Sequence, residues 1–133
     1  MATIFSRIIK GEIPSYKIAE SEDYFAFLDI NPLRPGHTLV VPKKETDYIF
    51  DLEDGSLCGM IVFSKKVAFA IKEAVPCNRI AVVILGLEVP HAHIHLIPMD
   101  SMEDVNFNNK KLKFSPEEFK KIAESISSKI RLV

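Results

Sequence analysis

Residues 91–98 read His91-Ala92-His93-Ile94-His95-Leu96-Ile97-Pro98, so three of the chain's four histidines alternate along one apolar run. Few folds can use such a run. In a β-strand the side chains at i, i+2 and i+4 share a face. Read as a strand, the segment places His91, His93 and His95 in one imidazole row. Ala92, Ile94 and Leu96 then face the other way, into a core. Buried rings need hydrogen-bond partners. Imidazole also titrates near neutrality, carries protons and binds metals. The row therefore marks a site of chemistry.

Around this strand the pattern alternates helix and sheet. Residues 3–10 predict a short helix with Ile4, Phe5, Ile8 and Ile9 on one side, closed by Gly11. Residues 16–20 and 24–30 read as two strands joined by Ser21-Glu22-Asp23. The loop Asn31-Pro32-Leu33-Arg34-Pro35-Gly36 is stiffened by its prolines, and residues 37–42 form a third strand. Leu57, Met60, Ile61, Val67, Ala68, Ile71 and Val75 stripe a helix over 56–75, which Pro76 stops. Residues 79–85, nearly all apolar, read as a strand buried on both faces.

Residues 100–113 are polar and predict a loop. Ser115-Pro116-Glu117-Glu118 opens the last helix, with Ser115 as N-cap and Glu118 at N3. Its stripe is Phe119, Ile122, Ala123, Ile126 and Ile130, and Lys129 and Arg131 suit its negative end. Hairpins with helices packed on them predict an α+β domain.

With 133 residues the chain is expected to form a single domain over 1–133. A net charge of −1 gives no global pull toward nucleic acid or an anionic membrane. No run approaches the roughly 18 apolar residues of a membrane span, and the first residues lack a signal-peptide core, so a cytoplasmic setting is expected. Cys58 and Cys77 lack metal or redox spacing and read as buried, reduced thiols.

Two chemistries fit the imidazole row. It could bind zinc or iron through a His-x-His pair and a third ligand. Alternatively, one imidazole attacks phosphorus while the others tune it, giving a phospho-histidine intermediate. The attacking nitrogen must then be neutral and aimed, with the other ring nitrogen held as an N–H donor. His37 opens the third strand and could approach the row from there. Spacing alone leaves the two readings open.

The His-x-His-x-His run followed by an apolar pair resembles the motif of the histidine triad (HIT) superfamily. Ile4-Phe5 through Ile8-Ile9-Lys10-Gly11-Glu12-Ile13-Pro14 resembles its opening segment. Ala26-Phe27-Leu28-Asp29-Ile30-Asn31-Pro32 resembles its nucleoside-contacting strand, and Pro35-Gly36-His37-Thr38-Leu39-Val40-Val41-Pro42-Lys43 its next strand. Together these matches cover most of residues 4–98, and the loop and helix of 105–133 match only loosely.

The resemblance implies a five-stranded antiparallel sheet and a homodimer that extends it. It implies a purine nucleotide substrate, nucleotidyl hydrolysis or transfer, and neither metal nor cofactor in the reaction. By the same resemblance His93 would attack the α-phosphorus. His95 and His37 would orient it and contact phosphate, and the His91 carbonyl would hold its tautomer. Asp29 would take the ribose hydroxyls. Ile4, Phe5, Ile8, Ile13, Phe27 and Ile30 would wall the purine, with Gly86 and Glu88 contributing from the loop before the row. Residue type alone also allows Ile4, Ile8, Ile13 and Phe27 to be core, Asp29 to cap a turn, and Lys43-Lys44 to be a solvated pair.

The chain departs from the family pattern in three respects. Where many bacterial relatives carry a zinc-binding Cys-x-x-Cys and a downstream His, this chain has Thr3, Ser6 and Glu45, which implies that the structural zinc is absent. Glu88 stands where a hydroxyl residue usually meets the phosphate or leaving group. An ionised carboxylate there would repel phosphate by about 1 kcal/mol or more. It would help as a general acid if protonated, or by gripping a cationic leaving group. His95 stands where the transferase branch ends its motif in Gln, which favours a hydrolase. The expectation is a hydrolase releasing a nucleoside monophosphate, with AMP as the family default, from a phosphoramidate, acyl or dinucleotide leaving group. A nucleotide sensor without turnover is the alternative, and a histidine-row metalloenzyme a third reading.

Overall fold

Alternation between two buried faces governs the fold. The computed structural model describes residues 2–131. Helix α1 (Ile4–Ile9) leads into strands β1 (Lys17–Glu20), β2 (Tyr24–Leu28) and β3 (Thr38–Pro42). A 3-10 turn (Ile49–Asp51) and helix α2 (Asp54–Ala74) follow, then β4 (Arg79–Val83) and β5 (Ile94–Met99). A second 3-10 turn (Met102–Val105) and helix α3 (Pro116–Ser127) complete the order. The strands form one sheet in the order β1-β2-β3-β5-β4, and every pairing is antiparallel.

On one face Ala26, Leu28, Val40, Ala92, Ile94 and Leu96 meet Met60, Phe63, Val67 and Ile71 of α2 and Phe119, Ala123 and Ile126 of α3. Those α2 positions recur at three- and four-residue steps, as a helix face must. The opposite face carries Phe25, Phe27, Leu39 and Val41, covered by Phe5 of the short α1 with Ile8 and Ile9. Two helices fill the first face. One helix of 6 residues cannot cover the second, and the cleft described below lies beside it.

The cap of α3 forms as the sequence predicts. Ser115 Oγ accepts from Glu118 N–H (3.1 Å), and Glu118 Oε1 accepts from Ser115 N–H (2.9 Å). Because α3 ends at Ser127, Lys129 and Arg131 fall beyond its last turn, and Arg131 instead pairs with Glu73 on α2 (3.3 Å). Lys43 also departs from the expected solvated pair: it reaches Glu20 at 2.7 Å, while Lys44 stays exposed.

Other expectations are corrected by what lies next to each residue. The apolar strand β4 is one of the two sheet edges, paired only to β5, and Val82 is 57% exposed. An apolar run reads alike in a buried strand and in an edge whose outer side is bare. Ile61 lies outside the buried stripe of α2, on an exposed face with Val62 and Phe69. Cys58, on the same helix, is exposed, and Cys77 is half-buried. Among the described residues no helix is long and apolar enough to cross a membrane.

Candidate active site

The ladder of β5 begins at Ile94, so the expected strand is shortened at its histidine end. Upstream, Ala92 N–H is donated to the Thr46 carbonyl (2.6 Å) and His91 N–H to that of Val89 (2.8 Å). These bonds replace the ladder, yet His91 stays on the α1 side, its ring edge to face with Phe5 at 5.7 Å, as that of His93 is at 5.1 Å. His93 and His95 remain neighbours, with ring centroids 5.0 Å apart. His37 joins them from the start of β3, its ring 5.2 Å from that of His95. Gly36 before it has φ +89, a left-handed conformation natural to glycine, and a Cβ there would meet Val75 at 3.0 Å.

Beside these rings lies a cleft of about 250 Å³. Ile4, Phe5, Ile8, Ile13, Phe27 and Ile30 all line it, with Asp29, Glu88, His93 and His95. Phe5 and Phe27 are also core, packed edge to face at 5.6 Å. Ile4 and Ile30 are rim, 49% and 64% exposed. Gly86 is not brought there. It lines a second cleft of about 350 Å³ with Tyr48, Phe50 and Leu87, which reaches His93 from another side.

The hydrogen-bond partners determine where each imidazole carries its proton. His93 Nδ1 lies 2.8 Å from the His91 carbonyl oxygen. A carbonyl only accepts, so Nδ1 holds the proton and Nε2 presents a lone pair. His91 Nε2 donates to the Pro42 carbonyl (2.8 Å), and its Nδ1 accepts from the Thr3 hydroxyl (2.7 Å). His37 Nδ1 accepts from the backbone N–H of Leu33 (3.0 Å). Its proton is therefore on Nε2, which donates to Nδ1 of His95 at 3.0 Å. His95 must then carry its proton on Nε2, as a donor.

Burial keeps this pair uncharged. Desolvation pushes His37 down to about 3 and His95 to about 4, with neighbouring imidazoles adding to the effect. His91 is lowered by burial as well. Burial raises Asp29, partly offset by the Asn31 N–H that its Oδ1 accepts at 2.8 Å. Asp29 thus does cap the turn, while Oδ2 stands 3.5 Å from His37 Nε2. Two residues that sequence reading passed over complete the site. Phe107 sets its ring 5.0 Å from His95, and Lys111 lies 5.9 Å over the Phe107 ring. An aromatic inside the polar loop 100–113 was the available signal.

A HIT domain model matches residues 10–102. The chain belongs to the HIT family. It is 38% identical over 136 residues to the adenosine 5'-monophosphoramidase hnt1 of Schizosaccharomyces pombe, covering 98% of this chain and 100% of that one. The crystal structure of a HIT-like protein from Bartonella henselae superposes with a TM-score of 0.83 at 32% identity, covering 96% of each chain. A zinc-bound histidine triad family protein from Mycobacterium smegmatis superposes at 0.82 and 25% identity, over 97% of this chain and 93% of that one.

The structural zinc that the resemblance implies for many bacterial relatives does not fit here. Zinc favours thiolate, imidazole and carboxylate ligands, whereas Thr3 and Ser6 offer neutral hydroxyls that are already engaged. Thr3 bonds to His91, and Ser6 Oγ donates to Glu45 Oε1. Elsewhere Asp29, His37 and His95 bring ligand atoms within 4.8 Å of one another. The two imidazole nitrogens of that group are bonded to each other, so a cation would have to displace the shared proton.

Proposed function

We propose that this HIT family protein is a hydrolase that releases a nucleoside 5′-monophosphate, AMP by preference, from a phosphoramidate through a nucleotidyl-His93 intermediate. One observation carries the reading: the His91 carbonyl accepts a hydrogen bond from His93 Nδ1–H at 2.8 Å, leaving Nε2 free beside an apolar cleft. The lone pair of Nε2 forms the N–P bond as the P–N bond to the leaving amine breaks, and the leaving nitrogen takes a proton from solvent water as it departs. Water then cleaves the histidine–phosphorus bond and regenerates His93.

His95 donates its Nε2–H to a phosphoryl oxygen, where charge develops, and His37 holds that donor in place. Asp29 accepts from the ribose hydroxyls. The base lies between Phe5, Phe27 and the isoleucines. Glu88 lines the same cleft, where a carboxylate suits a cationic amine. The named activity of the fission yeast relative supports this substrate class. The protein works as a homodimer in this reading, which the open edge of β4 and exposed Val82, Val62 and Phe69 support.

Glu88 also supports a second reading, a nucleotide-binding module without turnover, because its charge opposes phosphate in the cleft. Hydrolysis of adenosine 5′-phosphoramidate by wild type and His93→Ala, with and without chelator, separates the two. Chelator-resistant AMP release that disappears in His93→Ala supports the hydrolase. AMP binding with no release by wild type sinks it in favour of the binding module.

A further inference from the structure

His91 links the proposed nucleophile to the start of the chain. Its ring is fully buried and held at both nitrogens by different parts of the fold. The carbonyl of Pro42, at the end of β3, accepts from Nε2–H at 2.8 Å, and the hydroxyl of Thr3, ahead of α1, donates to Nδ1 at 2.7 Å. With both ends fixed, the ring restrains its own backbone, whose carbonyl orients His93.

The direction of the Thr3 proton follows from its neighbours. Glu45 accepts from Thr3 N–H (3.0 Å) and from the Ser6 hydroxyl. A carboxylate held by these donors stays ionised and only accepts. The Ser6 proton is therefore committed to Glu45. Thr3 Oγ1 meanwhile accepts from Ser6 N–H (3.0 Å), capping α1, and of the two acceptors within reach of its proton, Ser6 Oγ at 3.1 Å and His91 Nδ1 at 2.7 Å, the nearer is the buried imidazole nitrogen that has no other donor. Thr3 thus caps a helix with its lone pair and satisfies a buried imidazole with its proton.

The geometry points to Thr3 as a positioning residue for His93, acting through His91, in a cluster with Ser6 and Glu45 that does this work without a metal. The inference rests on the reading of His93 as the nucleophile. Removing the Thr3 proton leaves His91 Nδ1 a buried acceptor without a partner. The ring then shifts to find one, and the carbonyl that aims His93 shifts with it.

Three variants separate the donor from the cap. Thr3→Val removes both, Thr3→Asp keeps a capping oxygen but cannot donate, and Thr3→Ser keeps both. The readouts are kcat and KM for adenosine 5′-phosphoramidate, and long-range proton–nitrogen spectra of the imidazoles. In Thr3→Val and Thr3→Asp the His91 Nδ1 resonance moves and the His93 Nδ1 proton exchanges faster. The kcat falls about tenfold or more with little change in KM, and Thr3→Ser restores both readouts.

The inference is overturned if Thr3→Asp matches Thr3→Ser with unmoved resonances, since the hydroxyl would then be a cap alone. Lost activity in Thr3→Val with unmoved His91 and His93 signals overturns it too. One equivalent of zinc bound by wild type with a shift at His91 Nδ1 overturns the metal-free cluster. Retained turnover in His93→Ala removes the nucleophile, and the spectra still report whether Thr3 holds His91.

Discussion

His37 Nε2 donates to His95 Nδ1 at 3.0 Å, and the Leu33 N–H bonded to His37 Nδ1 fixes the direction of that bond. A backbone amide cannot reverse its role, so two tautomers are set by one peptide group. His37→Ala leaves His95 Nδ1 an acceptor without its partner in a buried pocket. The variant is expected to lose about 1–3 kcal/mol of stability and, with the Nε2 donor no longer held, about tenfold in kcat. Chemical denaturation and steady-state kinetics check both. Unchanged stability would mean that water or another group replaces the bond.

Acid should destabilise the fold earlier than its carboxylates alone would allow. His37 and His95 have folded values of about 3 and about 4 against an ordinary 6.5. Between those limits the unfolded chain binds more protons than the folded one, so stability falls as pH falls. It is fully present above about 6.5, and each histidine contributes a slope of up to about 1.4 kcal/mol per pH unit below that. Urea denaturation at pH 7.0, 6.0 and 5.0, a window above the carboxylate range, should show midpoints falling in order. Flat midpoints would refute buried neutral imidazoles.

Asp29 offers a test of ribose recognition. Asp29→Asn keeps an oxygen for the Asn31 N–H, which Oδ1 now accepts at 2.8 Å, so the turn survives. It loses the charged acceptor proposed for the sugar hydroxyls. Expected is a rise in KM of about tenfold with a smaller change in kcat, and a reduced preference for ribo- over 2′-deoxyribonucleotide substrates. Equal discrimination in both proteins would assign Asp29 to the turn alone.

Phe107 packs edge-on against the imidazole pair, its ring 5.0 Å from His95 and 6.3 Å from His37, on a side where it is expected to exclude water. Opening that side in Phe107→Ala lowers the desolvation that depresses both rings. His95 then titrates closer to its ordinary range, and the acid limb of the rate profile moves to higher pH. Phe107→Leu should stay near wild type. A profile that does not move in Phe107→Ala would show that other groups exclude the water.

Alternation was enough to place Ala92, Ile94 and Leu96 in the core beneath α2 and α3, and His93 and His95 on the other face. The Ser115 and Glu118 cap was legible because both partners lie three residues apart. The nature of β4 was not legible, since an apolar run looks the same whether its outer edge is paired or bare. Phe107 was equally hidden. Its contact with His95 depends on how the loop after β5 folds back, including the bond from Leu112 N–H to the Pro32 carbonyl (2.8 Å).

By itself the sequence determined the elements, their order and the kinds of side chain available to the site, because periodicity and caps act over a few residues. Tertiary structure decided the tautomers. Which nitrogen of His91, His37 or His95 carries the proton depends on Thr3, Pro42 and Leu33, and the first two lie more than 40 residues from His91. A hydrogen bond is satisfied only when donor and acceptor meet in space. For these rings that meeting is arranged by the packing of α1, β3 and β5 around them.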